Sequence, residues 1–202
     1  MKIALVGASG NAGSRLLSEL VNRGHDVTAI VRNPEKVPAS PKVTVKKGDV
    51  YDEAGLARLI AGHDAVITSV HFTAFDPQKL IAAVRASGVK RYLVVGGAGS
   101  LEVAPGLKLI DAPNFPEIYR AEASAGSAYL DLLHKQADLD WTFLSPSAMF
   151  IPGERTGQFR LGTDQLLSND AGSSISFEDY AIAMVDEIEN PRHVKKRFTI
   201  GY

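Results

Sequence analysis

Cysteine is absent from all 202 residues, and its absence excludes disulfides, thiolate zinc sites and thiol redox chemistry. No apolar run approaches the roughly 20 residues that a membrane-crossing helix needs. The opening Met1-Lys2-Ile3-Ala4-Leu5-Val6-Gly7 is too short in its apolar stretch for a secretory leader. Together these predict a cytoplasmic protein without a membrane partner. An excess of one charge is missing too: 22 basic residues stand against 23 acidic ones, a net charge of −1. A nucleic-acid binder needs a basic face, so no nucleic-acid partner is expected. The histidines, His25, His63, His71, His134 and His193, are scattered without ligand spacing, so no metal is expected. Ser145-Pro146-Ser147 lacks the glycines of a nucleophile elbow.

The composition that remains, 45% hydrophobic and 22% charged, suits one domain over 1–202 with a substantial core. Ile3 to Val6 is a short continuous apolar run, as a strand buried on both faces requires. Leu16, Leu17, Leu20 and Val21 then recur at helical spacing, which predicts a helix from Ser14 to Arg23 closed by Gly24. Strands follow at 27–31, 43–46, 65–70 and 92–95, with helices at 54–60 and from Pro77 to about Ser87. Strands alternating with helices over short links imply right-handed crossovers, hence an α/β fold with a parallel sheet.

The second half is less regular. Gly99 to Pro116 carries three prolines and reads as a long functional loop. A helix from about Glu117 to Gln136 is expected to break at Gly126, and a strand at 141–144 stops at Ser145-Pro146. Gln158–Leu161 and Gln165–Ser168 read as a small hairpin. Ser176 is a fair N-cap for a helix through Glu189, with Glu178 and Asp179 in the turn that the helix dipole favours. A last strand is expected at 197–200, and residues from about 147 are expected to cap the sheet.

Gly7-Ala8-Ser9-Gly10-Asn11-Ala12-Gly13 lies between the first strand and first helix, the context that makes a glycine pattern informative. Gly7 suits a tight turn, Gly10 the approach of a pyrophosphate, and Gly13 close packing of helix on strand. Free N–H groups at the helix start would stabilise the phosphates. After the second strand stands Arg32, beside Asn33, where an acid would accept from the ribose hydroxyls of NAD. A guanidinium grips a 2′-phosphate, so NADPH is expected, with NADH as the alternative. Asp49-Val50 would border the adenine. Ser69-Val70 and Gly96-Gly97, at the ends of the fourth and fifth strands, would line the cleft towards the nicotinamide.

Together with Val31-Arg32-Asn33-Pro34, Gly48-Asp49-Val50 and Asp140-Trp141-Thr142-Phe143-Leu144-Ser145-Pro146, the glycine loop resembles that of the atypical short-chain dehydrogenases. Within that group the chain is similar to the NAD(P)H-binding, NmrA-like proteins of the NADH-flavin reductase type, relatives of flavin (biliverdin IXβ) reductase. Pro152-Gly153-Glu154-Arg155-Thr156-Gly157 and Ser176-Phe177-Glu178-Asp179-Tyr180-Ala181 fit the same group. The resemblance covers nearly the whole chain. It implies a Rossmann-type doubly wound parallel sheet with helices on both faces and a small C-terminal cap. It also implies that Gly7, Ser9, Gly10, Asn11 and Ala12 meet the pyrophosphate, Arg32 the 2′-phosphate, Asp49 and Val50 the adenine, and Pro146 the nicotinamide. Ala8 and Asn33 complete the cofactor set.

One departure bears on the reaction. Mainstream short-chain dehydrogenases carry Tyr-x-x-x-Lys, the lysine lowering the tyrosine pKa. Here Tyr119 is followed four residues on by Ala123. A phenol near its usual pKa of about 10 is a poor base at neutral pH. Flavin reduction tolerates that, because the cofactors carry the chemistry and the protein aligns the rings. The expectation is an oxidoreductase passing hydride from NADPH to a flavin or similar conjugated small molecule, with FMN or FAD as substrate rather than tightly bound. His71, Phe72, Tyr119 and Phe150 are candidates to wall the acceptor ring. His71, Tyr119 and Ser100 are the candidate catalytic residues, His71 as proton donor and Ser100 as a hydrogen-bonding partner for an acceptor carbonyl. The alternatives are a non-catalytic NADP(H) sensor of the NmrA type and, more weakly, a sugar-nucleotide epimerase or dehydratase. Monomer and homodimer are both open.

Overall fold

The computed structural model describes residues 1–202. In its first half, strands β1 (Lys2–Val6), β2 (Asp26–Val31), β3 (Val43–Lys47), β4 (Ala65–Thr68) and β5 (Arg91–Val95) alternate with helices α1 (Asn11–Asn22), α2 (Glu53–Ile60) and α3 (Pro77–Ala86). The second half adds β6 (Glu102–Ala104), β7 (Leu107–Lys108), α4 (Arg120–His134), β8 (Asp140–Ser145), β9 (Met149–Ile151), β10 (Arg160–Gly162), β11 (Ser174–Ser176), α5 (Phe177–Glu189) and β12 (Lys196–Gly201). The main sheet runs β3-β2-β1-β4-β5-β8-β12-β10. Every pair in it is parallel except β10 with β12. This is the doubly wound α/β arrangement that the strand–helix alternation predicts.

Alternate residues of each strand feed two cores, because successive side chains leave opposite faces of a strand. Ile3, Leu5, Leu93, Leu144 and Phe198 pack with Leu16 and Leu20 of α1 and Met184 and Val185 of α5. On the other face Ala4, Val66, Tyr92, Val94 and Phe143 pack with Leu56 of α2, Leu80 of α3 and Tyr129 of α4. β1 sits between β2 and β4, so the strand order reverses beside it. Ligands of open α/β sheets bind at that reversal, beyond the carboxyl ends of the strands.

Four local expectations are corrected. α1 begins at Asn11, three residues early, with Gly10 as a cap that has no side chain. Gly99–Pro116 is not an irregular loop: it holds the antiparallel pair β6–β7 and is tied by Leu109 N–H to Leu101 O at 2.7 Å and Ile110 N–H to Gly99 O at 3.0 Å. α4 passes through Gly126 without a break, because the missing side chain admits the Phe72 ring, 2.9 Å from where a Cβ would stand. The hairpin at 158–168 does not form; β10 instead joins the edge of the main sheet against β12. The last third divides its roles. β12 and α5 belong to the sheet and its helical layer, while β9 and β11 pair beside it. The cap on α5 is as expected, with Ser176 Oγ accepting from Asp179 N–H at 2.9 Å.

Candidate cofactor and acceptor site

The loop from β1 into α1 turns at Gly7, whose φ of +86° is in the left-handed region. A Cβ there would stand 2.1 Å from Ser69 O, and one on Gly13 would stand 2.0 Å from Gly7 O. Both glycines are required by the fold itself. Gly10 differs: its Cβ would meet only Gly7 O, at 3.4 Å, and its φ of −76° suits any residue. The chain would accept a side chain at Gly10, so the open space above it is room for a group outside the chain. Ser14 N–H makes the first helical bond, to Gly10 O at 2.8 Å, and the N–H groups of Asn11, Ala12 and Gly13 have no acceptor in the protein. Those groups, with the helix dipole behind them, are left free to donate to an anion.

The other predicted cofactor residues stand at the same edge. Ala8 is buried under the loop, while Ser9 and Asn11 are exposed on it and Ala12 is tucked into the first turn. Arg32 and Asn33 leave the end of β2; Arg32 is exposed and pairs with no side chain. Asp49 and Val50 follow β3, and Asp49 Oδ1 accepts from Tyr51 N–H at 3.0 Å, so the carboxylate also shapes its own turn. Ser69 and Val70 follow β4 and close against Gly7. Gly97 follows β5, and Pro146, buried, follows β8. Parallel strands thus bring residues from six separate stretches of sequence to one edge.

The acceptor candidates separate. His71 and Tyr119 are exposed, and the Tyr119 hydroxyl has no partner. Phe72 belongs to the core, its ring 6.0 Å from both Tyr129 and Phe143 between centroids. Phe150 packs edge-on against Phe177 at 4.5 Å and lies tilted against Tyr180 at 4.6 Å. Phe72 is thus taken up by the core, while Phe150 stays half-buried. Ser100 is also corrected: it is buried, and its Oγ accepts from Arg197 Nη1 at 3.1 Å, bracing the turn after β5 to β12. No buried phenol replaces Tyr119 as an acid. Burial pushes Tyr92 up to about 12 and raises Tyr129 well above its usual value, and the two hydroxyls face each other at 2.6 Å.

Glu122 carries no sequence signal of its own, yet it is the most connected side chain near the cleft. Its carboxylate accepts from Phe72 N–H at 2.7 Å, Thr73 N–H at 3.1 Å and Thr73 Oγ1 at 2.9 Å, and lies 3.3 Å from His71 Nδ1. Only its place in the first turn of α4, three residues after Tyr119, hinted at a role; the partners are some 50 residues away.

Comparison with known proteins places this geometry in a family. The model of the NAD(P)H-binding family matches residues 7–191. The uncharacterized protein YwnB of Bacillus subtilis is 42% identical over 211 residues, spanning 99% of this chain and 98% of its own. A solved structure from Bacteroides thetaiotaomicron, described as a candidate epimerase, shares 44% identity with a TM-score of 0.95 and covers 100% of this chain and 96% of its own. Another from Streptococcus pneumoniae, described as a candidate NADH-flavin reductase, shares 37% identity with a TM-score of 0.84 and covers 100% and 99%.

Proposed function

The chain belongs to the NAD(P)H-binding family, and from that premise we propose that it is an NADPH-dependent oxidoreductase whose acceptor is a flavin or another flat, conjugated small molecule. The observation that carries the reading is a glycine loop with open space above Gly10 and free N–H groups at the start of α1, in a chain that has Ala123 where a catalytic lysine would stand. Such a site suits hydride transfer between aligned rings and not chemistry that needs an activated tyrosine.

The residues present fit the cofactor. The free N–H groups of Asn11, Ala12 and Gly13 and the room above Gly10 suit a pyrophosphate, with Gly7, Ala8 and Ser9 shaping the turn. Arg32, unpaired, suits a 2′-phosphate, with Asn33 beside it, and favours NADPH over NADH. Asp49 and Val50 would border the adenine. Ser69, Val70, Gly97 and Pro146 would line the nicotinamide end. When bound, the cofactor supplies a hydride with its electron pair to the acceptor. His71, exposed after β4, would supply the balancing proton, and Tyr119 would border the acceptor without acting as a base. FMN or FAD would then be a substrate that comes and goes. Ser100 falls outside the proposal.

The name of the Bacteroides structure suggests an epimerase, but sugar-nucleotide epimerases need the tyrosine–lysine pair that Ala123 breaks. The same alanine favours a second reading, a non-catalytic NADP(H) sensor. A reductase drawing on NADPH works where that pool is held, so the reading places the protein in the cytoplasm; no helix is long and apolar enough to cross a membrane.

Following nicotinamide absorbance with saturating FMN, FAD, quinone or enone separates these readings. Steady NADPH oxidation at roughly 1 per second or faster, retained within about twofold by Tyr119→Phe, supports the reductase. Tight binding of both oxidised and reduced cofactor without turnover selects the sensor.

A further inference from the structure

We propose that Glu122 is a positioning residue for proton delivery: it holds the His71 imidazole at the cleft with the proton fixed on Nδ1, so that Nε2 is the atom that serves the acceptor. The inference rests on the reductase reading and adds to it a residue that no part of that reading requires.

Glu122 stands in the first turn of α4 and reaches three consecutive residues that follow β4. Two backbone N–H groups and the Thr73 hydroxyl already anchor that segment to the carboxylate, and the Phe72 ring, seated against Gly126 one turn further along α4, anchors it from below. The fourth contact, 3.3 Å between Glu122 Oε1 and His71 Nδ1, reaches a side chain rather than the loop backbone, and it is the only hydrogen-bond partner that the exposed imidazole has.

A ring nitrogen's hydrogen bond decides which tautomer a neutral histidine adopts. A carboxylate accepts and does not donate, so Glu122 favours a proton on Nδ1 and leaves Nε2 as the exchangeable position. The proton balance then closes. The Nε2 proton of the imidazolium passes to the anion that hydride addition creates on the acceptor. The neutral ring keeps its Nδ1 proton on Glu122, and water returns a proton to Nε2. Both electrons reach the acceptor with the hydride, and none passes through His71. The arrangement stands next to Ala123, the position that in a tyrosine–lysine pair would hold the lysine.

The test uses full-length protein and variants Glu122→Ala, His71→Gln, their double variant and Thr73→Val, the last removing one loop anchor without touching the imidazole. Nitrogen-15 NMR of the imidazole reads the tautomer directly. The wild-type and Thr73→Val proteins should show neutral His71 protonated on Nδ1, and Glu122→Ala should move the proton to Nε2. In turnover with FMN, His71→Gln should lose about 100-fold in kcat and Glu122→Ala about tenfold, with KM for NADPH unchanged. The double variant should be no slower than His71→Gln, because the two residues act as one unit. An unchanged tautomer in Glu122→Ala overturns the proposal whether or not any acceptor is turned over. So do losses that multiply in the double variant, or a Thr73→Val loss equal to that of Glu122→Ala. If the wild type reduces no acceptor, the reductase reading fails and proton delivery with it, and the NMR result alone decides whether Glu122 sets the His71 proton.

Discussion

Arg155 grips Glu19 with two hydrogen bonds, Nε to Oε2 at 2.8 Å and Nη2 to Oε1 at 2.9 Å, across 136 residues of sequence. Glu19 lies on α1 with its side chain only 4% exposed, and it also accepts from Arg23 Nε at 2.8 Å. The exposed segment that carries Arg155 is held at other points as well: Gly153 N–H donates to Glu178, and Thr156 Oγ1 and Gly157 N–H donate to the buried Asp179. Carboxylates of α1 and α5 thus strap 153–157 across the two helices.

The strap makes stability depend on acid. The Arg155 hydrogen bond, with help from Arg23, holds the Glu19 carboxyl below its usual range. A carboxyl whose pKa is lower folded than unfolded contributes fully above the unfolded value, about 4.3, and that contribution disappears as pH falls through the folded value. Arg155→Ala should lower stability at pH 7 by about 1–2 kcal/mol, a figure discounted for the half-exposed Arg155 side chain. That is about 2–8 °C in Tm for a chain of this size. Thermal melts from pH 7 to pH 3 should show the gap to wild type closing below about pH 4. A gap constant over that range would mean that Glu19 is not the partner that matters.

Two neighbouring glycines should behave in opposite ways. Gly13→Ala drives a Cβ to 2.0 Å from Gly7 O and should destabilise by about 1–3 kcal/mol or more. Gly10→Ala meets only a 3.4 Å contact and should melt within a few degrees of wild type, yet lose at least about tenfold in affinity for NADPH. Calorimetric titration alongside melting curves checks both. Unchanged affinity in Gly10→Ala would remove the pyrophosphate from this loop.

Arg32→Ala should discriminate between cofactors. A charge-assisted hydrogen bond is worth about 1.5–3 kcal/mol, so NADPH should weaken by about 10–100-fold while NADH changes little. Nicotinamide fluorescence is the suitable probe. The single tryptophan, Trp141, is buried near the amino end of β8 beside His134, at the sheet edge opposite the cleft. Equal losses for both nucleotides would place the guanidinium away from the 2′ position.

Phe72 should report packing rather than catalysis. Phe72→Ala empties the space against Gly126, Phe75, Tyr129 and Phe143 and should cost about 3–5 kcal/mol. Gly126→Ala crowds the same ring at 2.9 Å and should cost about 1–3 kcal/mol. Phe72→Leu combined with Gly126→Ala should be less damaging than the sum of the two, because the smaller side chain makes room for the new methyl. Additive losses in denaturant unfolding would show that the two positions do not share one space.

Periodicity carried the sequence reading well where structure is local. β1, α1, β2 and the glycine loop follow from apolar spacing and four glycines within 30 residues, and Ser176 announces α5 through a hydroxyl that caps its own helix. Local pattern misleads where a segment's state depends on something distant. Gly126 looked like a helix break because its partner, the Phe72 ring, is 54 positions earlier. Residues 158–168 looked like a hairpin because β12, the true partner of β10, lies at the end of the chain.

What the sequence determined by itself is the glycine-rich strand–turn–helix and the alternation that builds a parallel sheet, since φ/ψ preference and burial period act between near neighbours. Tertiary structure alone decided which side chains share the cleft. Ser100 turned to Arg197, 97 residues on, Phe72 entered the core, and Glu122 met His71 across 51 residues. The physical reason is that a hydrogen bond or a ring contact is set by atoms within a few ångströms, and parallel strands bring together residues that the chain keeps far apart.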